Sequence, residues 1–285
     1  MPTIILDRLD GSEPLSTKWS DHTGTALMPG ALGLELVPRT LKTRPRVDGD
    51  GVEVVRPVVG MRELTFPLWV EGTSRADYLT KRRRLQAHLA SRRGVRVTHI
   101  EDDGETMWAQ GHYVGGMEGQ HAYDGQTSQL YAPTLRCGDP YWHMPEVNEP
   151  FLLEEGTPWF PFPPLQLRGS LLQERRDVVN PGDVDSWPRW TVTGPGQGFA
   201  IVHHDTGRSI EYDATIIPGQ QVVIDTRPGY RNITDGQGTD LMQHLTSDPE
   251  FFPLLGGTND IELIMPGTGD DTDITLTWTP LRESV

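Results

Sequence analysis

The chain has 285 residues, a formal net charge of −15 at pH 7, 31 glycines and 24 prolines. That much Gly and Pro weakens helix interiors and excludes a helical bundle, while eight Trp, seven Tyr and seven Phe can fill a core, so a folded, loop-rich, mainly β protein is expected. No apolar run is long enough for a transmembrane helix, the first ten residues lack a secretory signal, and the single Cys137, read as a small buried residue, fits a reducing cytoplasm.

In chain order, the first element is the apolar run Thr3-Ile4-Ile5-Leu6, closed by a turn at Asp10-Gly11. Strands are expected at 32–37, 52–59 and 64–70, with a long polar loop over 44–51. In 64–70, Leu64, Phe66, Leu68 and Val70 alternate with Thr65, Pro67 and Trp69. Period two marks one buried face, and Pro67, which cannot donate to a ladder, puts the strand at an edge or a bulge. A helix is expected over 74–93, with Ser74 as cap, Asp77 at the acidic capping-box position and Gly94 as stop. Tyr78, Leu85 and Leu89 make its apolar stripe; Arg82 joins Lys81, Arg83, Arg84, Arg92 and Arg93 on the basic remainder. That basic run reads as a solvated face favoured by the helix dipole, or as a contact with an acidic neighbour or nucleic acid.

Strands at 95–100 and 106–114 flank the turn Glu101-Asp102-Asp103-Gly104, where Asp-Gly supplies the positive φ of a tight hairpin. A strand at 128–135 leads to Gly138-Asp139-Pro140-Tyr141-Trp142. Residues 146–164, rich in Pro and acid, read as a linker whose Trp159-Phe160-Pro161-Phe162-Pro163-Pro164 either packs on the flanking domains or forms a sugar- or partner-binding patch. Beyond it, strands are expected at 165–167, 178–179, 190–193, 200–203, 209–212, 221–225, 232–234, 260–265 and 273–278. Turns every 8–15 residues or so give the rhythm of a β-sandwich.

The charge is divided unevenly. Up to Pro145 there are 17 Lys/Arg against 18 Asp/Glu, a net of −1; from Glu146 on there are 8 against 22, a net of −14. This step, with the composition shift, divides the chain into a first domain 1–145, a linker 146–164 and a second domain 165–285. A domain so acidic does not read nucleic acid, which requires clustered cations.

Motifs of catalysis and metal binding are missing: there is no HExxH, P-loop or GxSxG. In His203-His204-Asp205, neighbouring side chains on a strand point to opposite faces and cannot easily share a metal. Asp270-Asp271-Thr272-Asp273 lacks the spacing of a calcium loop, and Asp183 and Asp185 sit two apart in a turn with nothing to place a sugar between them. The sequon Asn232-Ile233-Thr234 lies in a chain with no signal for the glycosylation machinery. No catalytic residue, cofactor or metal site is assigned.

The second part carries an ordered set of motifs: Asn180-Pro181-Gly182-Asp183; Trp187-Pro188-Arg189-Trp190-Thr191-Val192-Thr193-Gly194; a hairpin of Phe199-Ala200-Ile201-Val202 and Ser209-Ile210-Glu211-Tyr212 about Asp205-Thr206-Gly207; Gly219 with Val222-Val223-Ile224-Asp225-Thr226; Gly257-Thr258-Asn259-Asp260-Ile261; and a closing strand with Trp278. This order, with a preceding β-domain that carries one helix and ends in Asp139-Pro140-Tyr141-Trp142, resembles the distal tail proteins of long-tailed siphophages. The resemblance implies a structural protein rather than an enzyme. It implies an N-terminal belt domain in a hexameric ring at the distal end of the tail tube and a galectin-like C-terminal β-sandwich projecting outward. Its partners would be further copies of itself, the tail tube protein, the tail-tip hub and the tape-measure protein, within a virion assembled in the host cytoplasm. The second part has no long insertion, so an additional carbohydrate-binding module is not expected.

On this reading the first domain self-associates through strand edges and the helix, with Tyr78, Arg82, Leu85 and Leu89 as candidate contacts. The alternative is a carbohydrate-binding module that grips host cell-wall glycan by stacking on Trp187, Trp190, Tyr212 or Tyr230.

Overall fold

The structure is a computed structural model that describes residues 3–18, 21, 23–47, 49–118, 126–151, 171–246 and 249–285. The chain divides into two compact units: Met1–Met144 with Arg282–Val285, and Pro145–Leu281. The last four residues thus belong with the first unit rather than with the second part of the sequence.

In the first unit, β1 (Thr3–Asp7), β2 (Leu15–Ser16), β3 (Thr25–Leu27), β4 (Arg39–Pro45), β5 (Val52–Val59), β6 (Arg62–Thr65) and β7 (Leu68–Glu71) precede helix α1 (Arg75–Leu89). After it come β8 (Val95–Ile100), β9 (Thr106–Gly115), β10 (Ser128–Tyr131), β11 (Thr134–Cys137) and β12 (Trp142–His143). One sheet runs β2-β1-β8-β9-β11-β6 and a second runs β10-β7-β3, while β4 and β5 form a two-stranded sheet of their own. The inward positions of both sheets meet the helix in one core: Ile4, Leu6, Val95, Val97 and Met107 from the first, Leu68 and Val70 from the second, and Tyr78, Leu85 and Leu89 from α1.

The alternation over 64–70 buries Leu64, Phe66, Leu68 and Val70. Pro67 interrupts the strand, so β6 pairs with β11 in one sheet and β7 with β10 and β3 in the other. The strand expected at 32–37 is reduced to a single bridge, Leu32 to Thr65. Gly33 has φ +84°, and a Cβ there would lie 1.8 Å from the Glu63 carbonyl oxygen, so a turn pressed on β6 replaces a strand. The loop expected over 44–51 begins two residues later, because β4 runs to Pro45 and pairs with β5.

Helix α1 begins as the capping pattern dictates. The Asp77 N–H donates to Ser74 Oγ at 3.2 Å, and Asp77 Oδ2 accepts from Thr73 N at 2.8 Å and Lys81 Nζ at 2.9 Å. It ends at Leu89, short of Arg93, and the Gly94 N–H closes a separate turn on Ser91 O at 3.2 Å.

The second unit contains β13 (Val147–Phe151), β14 (Leu171–Asn180), β15 (Arg189–Thr193), β16 (Gly196–His203), β17 (Arg208–Ile216), β18 (Gln221–Asp225), β19 (Asn232–Asp235), β20 (Gly257–Pro266) and β21 (Asp273–Trp278). A five-stranded sheet β13-β21-β15-β18-β19 and a four-stranded sheet β14-β20-β16-β17 bury their inner faces in a common core. The result is a β-sandwich. Residues 147–151, read from the sequence as linker, form β13, paired in register with β21 from Val147–Trp278 to Phe151–Ile274. The rest of that stretch, and the strand expected at 165–167, lie outside the described residues.

Candidate functional site

Asn180, Gly182 and Asn259, singled out by the motif pattern, hold turns. Gly182 N donates to Asn180 Oδ1 at 3.2 Å, and a Cβ at Gly182 would lie 2.4 Å from the Leu281 carbonyl oxygen. Asn259, fully buried, uses its side-chain nitrogen on the carbonyls of Gly257 (2.9 Å), Leu255 (3.0 Å) and Val178 (3.3 Å). Its Oδ1 accepts from Leu255 N at 2.7 Å and faces His203 Nε2 at 3.1 Å. With the Asn amide committed to carbonyls, His203 is the donor and its proton sits on Nε2. Burial pulls His203 below the usual histidine range against the opposing hydrogen bond from Asn259 and the charges of Asp205 and Asp260. It is a neutral structural group. His204 is exposed and meets Glu262 Oε2 at 2.8 Å, so the two histidines face different surroundings.

The first unit has a corresponding hub at Arg62, 1% exposed. Its Nε donates to Pro140 O at 2.6 Å and its Nη1 to Glu35 O at 2.8 Å; further bonds go to the carbonyls of Gly33 and Glu283, and the guanidinium lies 5.3 Å from the Trp142 ring centroid. One cation thereby joins the 33–35 turn, the 140–142 segment and the returning C-terminus. Beside it, burial pushes the Cys137 thiol up to about 11, which makes it inert.

The helix residues expected to mediate self-association are spent inside their own unit. Tyr78 and Leu85 are 0% exposed and Leu89 is 3% exposed. The Tyr78 hydroxyl lies 2.8 Å from that of Tyr131 and 3.0 Å from Gln129 Oε1. Burial, with the Tyr78 bond, pushes Tyr131 up to about 12, against the opposing effect of Arg82. Arg82, half-buried, thus serves this internal cluster. A stripe this well covered offers no area to another chain.

The four aromatics offered as sugar platforms divide in two. Trp190 (0%) and Tyr212 (4%) are core residues: Trp190 packs against Phe151 at 5.5 Å and Tyr212 stacks on Phe199 at 5.1 Å between centroids. Trp187 is half-buried and Tyr230 is 69% exposed. Both lie beside arginines, with Arg231 5.4 Å from the Trp187 ring and Arg227 5.3 Å from the Tyr230 ring. Arg227 chelates Asp225 at 2.6–3.1 Å, and Arg189 approaches the same carboxylate at 3.6 Å. Burial pushes the Asp225 carboxyl up, but the Arg227 bonds and both positive charges outweigh it and hold the group below its usual range. Among the described residues, no group of three or more His, Cys, Asp or Glu could hold a metal ion.

Two further features stand on the surface of the first unit, and of these the sequence marks only strand β5, expected at 52–59. One is the β4–β5 hairpin, in which all seven residues of β4 and the first six of β5 are exposed. The other is an open groove of about 570 Å3 at the root of that hairpin, lined by Leu36, Pro38 and Met61 among others.

Comparison with known proteins gives these features a context. The whole chain has the fold of the SPP1 Dit protein, a crystal structure described as a paradigm of the hub adsorption apparatus in phages infecting Gram-positive hosts. The TM-score is 0.68 at 14% identity over 99% of each chain. A chain of the phage P2 baseplate, in its activated conformation with Ca, matches at TM-score 0.50 and 10% identity over 97% of this chain and 98% of that one. No curated protein sequence matches. Residues 181–281 match the family model of the siphovirus-type tail component, C-terminal domain. That match lies within the second unit and agrees with the resemblance to the siphophage distal tail proteins read from the motif order.

Proposed function

We propose that this protein is a structural component of the distal end of a siphophage tail, where copies of its first unit form a hexameric belt that joins the tail tube to the tail-tip hub. The second unit, a galectin-like sandwich on this reading, lies outside the belt and supports host-attachment proteins. Tube, hub and tape-measure proteins are its neighbours in the virion, and assembly takes place in the host cytoplasm. The role is mechanical rather than catalytic. The family match over residues 181–281 carries the reading, and the fold likeness over 99% of the chain extends it to the first unit.

Charge supports it. With the division the structure makes, the first unit has 18 Lys/Arg against 19 Asp/Glu and the second 7 against 21. Packing six near-neutral units side by side avoids the repulsion that six units of net −14 would bring. Labelling assembled particles with an antibody to this chain tests the placement. Label is expected where the tube meets the tip; label along the tube or on the head contradicts the reading.

Glycan binding is the second reading, and Trp187 and Tyr230 beside Arg231 and Arg227 favour it. A Tyr230→Ala variant that loses glycan-array binding shown by the parent chain supports it; a blank array for the parent removes it.

A further inference from the structure

In the second unit 21 Asp/Glu face 7 Lys/Arg, so an arginine there has carboxylates in excess. Arg175, Arg176, Arg189 and Arg227 each pair with one. Arg231, which is exposed, does not. Its guanidinium lies 5.4 Å from the Trp187 ring centroid and 5.8 Å from that of Phe251, and among the described residues it makes no hydrogen bond and no ion pair. Two aromatic rings hold the cation in place while its donors stay open to solvent.

The surroundings of Arg231 are fixed. Thr226, fully buried, donates from its N at 3.3 Å and its Oγ1 at 2.6 Å to Pro188 O, which ties the 226–231 loop to the 187–189 segment. The Tyr230 N–H closes a turn on Arg227 O at 3.0 Å, with Pro228 and Gly229 (φ +82°) at its centre. That turn presents Tyr230, 69% exposed, next to Arg231 in the chain and 5.3 Å from the Arg227 guanidinium. Arg227 commits Nε and Nη2 to Asp225 and leaves Nη1 without an acceptor among the described residues. Arg189, Arg227 and Arg231 against Asp225 give this group a net of +2 on a unit of net −14.

We propose that this loop face binds an acidic saccharide, one that carries carboxylate or phosphate groups on its sugars. The inference rests on the glycan reading and names the class of glycan. An exposed aromatic ring offers a plane to the C–H face of a sugar. A guanidinium fork without a partner matches two oxygens of a carboxylate or phosphate. The ring alone would accept a neutral sugar and the arginine alone any anion; together they select a sugar that bears charge. At physiological salt, charges beyond roughly 8 Å are screened, so the local arginines rather than the unit's remote acids act on the incoming anion.

The test titrates the full chain with neutral maltohexaose, an oligogalacturonate and a phosphorylated mannan fragment, with poly-glutamate as a charge-only control. An acidic oligosaccharide is expected to bind about tenfold more tightly than maltohexaose, and the acidic probe that binds better assigns the recognised group. Arg231→Gln is expected to raise that Kd about tenfold. Arg231→Lys should recover only part, because an ammonium lacks the fork. With the Arg231 side chain exposed, circular dichroism and Tm are expected to stay at parent values. An Arg231→Gln variant that folds and binds like the parent overturns the site. Maltohexaose bound as tightly as the acidic probes overturns the charge requirement and leaves the glycan reading intact; a parent that binds no saccharide overturns both. Poly-glutamate bound as tightly as the acidic oligosaccharides overturns a saccharide ligand in favour of an acidic protein segment.

Discussion

At the scale of single residues, the buried polar hubs decide stability. Arg62→Met leaves carbonyls from three separate segments without their donor. It is expected to cost about 3 kcal/mol or more, read as a fall in the urea midpoint. Arg62→Lys should recover little, since an ammonium cannot fork across the same oxygens. His99 and His203, 1% and 0% exposed, are both held below the usual histidine range, by burial first in each case. Below about pH 6.5 the unfolded chain takes up protons that the folded chain refuses, so stability is full above that pH and falls as pH drops toward the folded pKa values. Tm is therefore expected to decline between pH 7 and pH 5, and less steeply in a His203→Phe variant. The carboxyls held low, such as Asp225, titrate below about pH 4 and stay out of that window.

At the scale of elements, the helix shows what local chemistry can and cannot reveal. Ser74, Asp77 and the Tyr78–Leu85–Leu89 stripe mark a capped helix, and it forms there with that stripe buried. The same stripe does not say what it packs against, and here it is the unit's own sheets. Leu85→Ala is expected to cost about 2–5 kcal/mol of stability. Its assembly should weaken only to the extent that the fold does, which denaturation and mass measured on the same sample will separate. Pro67 and Gly33 act on the next level up. Pro67 splits an alternating strand between two sheets, and Gly33 turns an apolar run into a pressed loop; both outcomes depend on partners distant in sequence. Strand β4 is hidden for a different reason. A strand with no covered face has no period-two pattern to betray it, so residues 39–43 carry no strand signal and Arg44 is read as the start of the polar loop over 44–51. Strand β13, with Glu149 and Pro150 inside it, reads as linker although its pairing with β21 fixes it as an outer strand of the five-stranded sheet. The site therefore emerges only in part: motif glycines and asparagines and strand β5 are legible, whereas strand β4 and the groove at the hairpin root are not.

At the scale of the whole molecule, the uneven charge and the fold point the same way. The unit proposed to pack against copies of itself is near neutral; the one proposed to stand apart is strongly acidic and should stay soluble. Because the latter's charge is screened beyond roughly 8 Å in physiological salt, assembly is expected to tighten as ionic strength rises from low values. Salt that instead dissolves the assembly would contradict repulsion between the acidic units as the main opposing force. The most direct test of the central claim is the native mass of the purified chain. A ring predicts a species six times the 31.8 kDa chain, with few intermediates because closure satisfies every interface. A monomer that persists at high concentration, or a strict dimer, would contradict it.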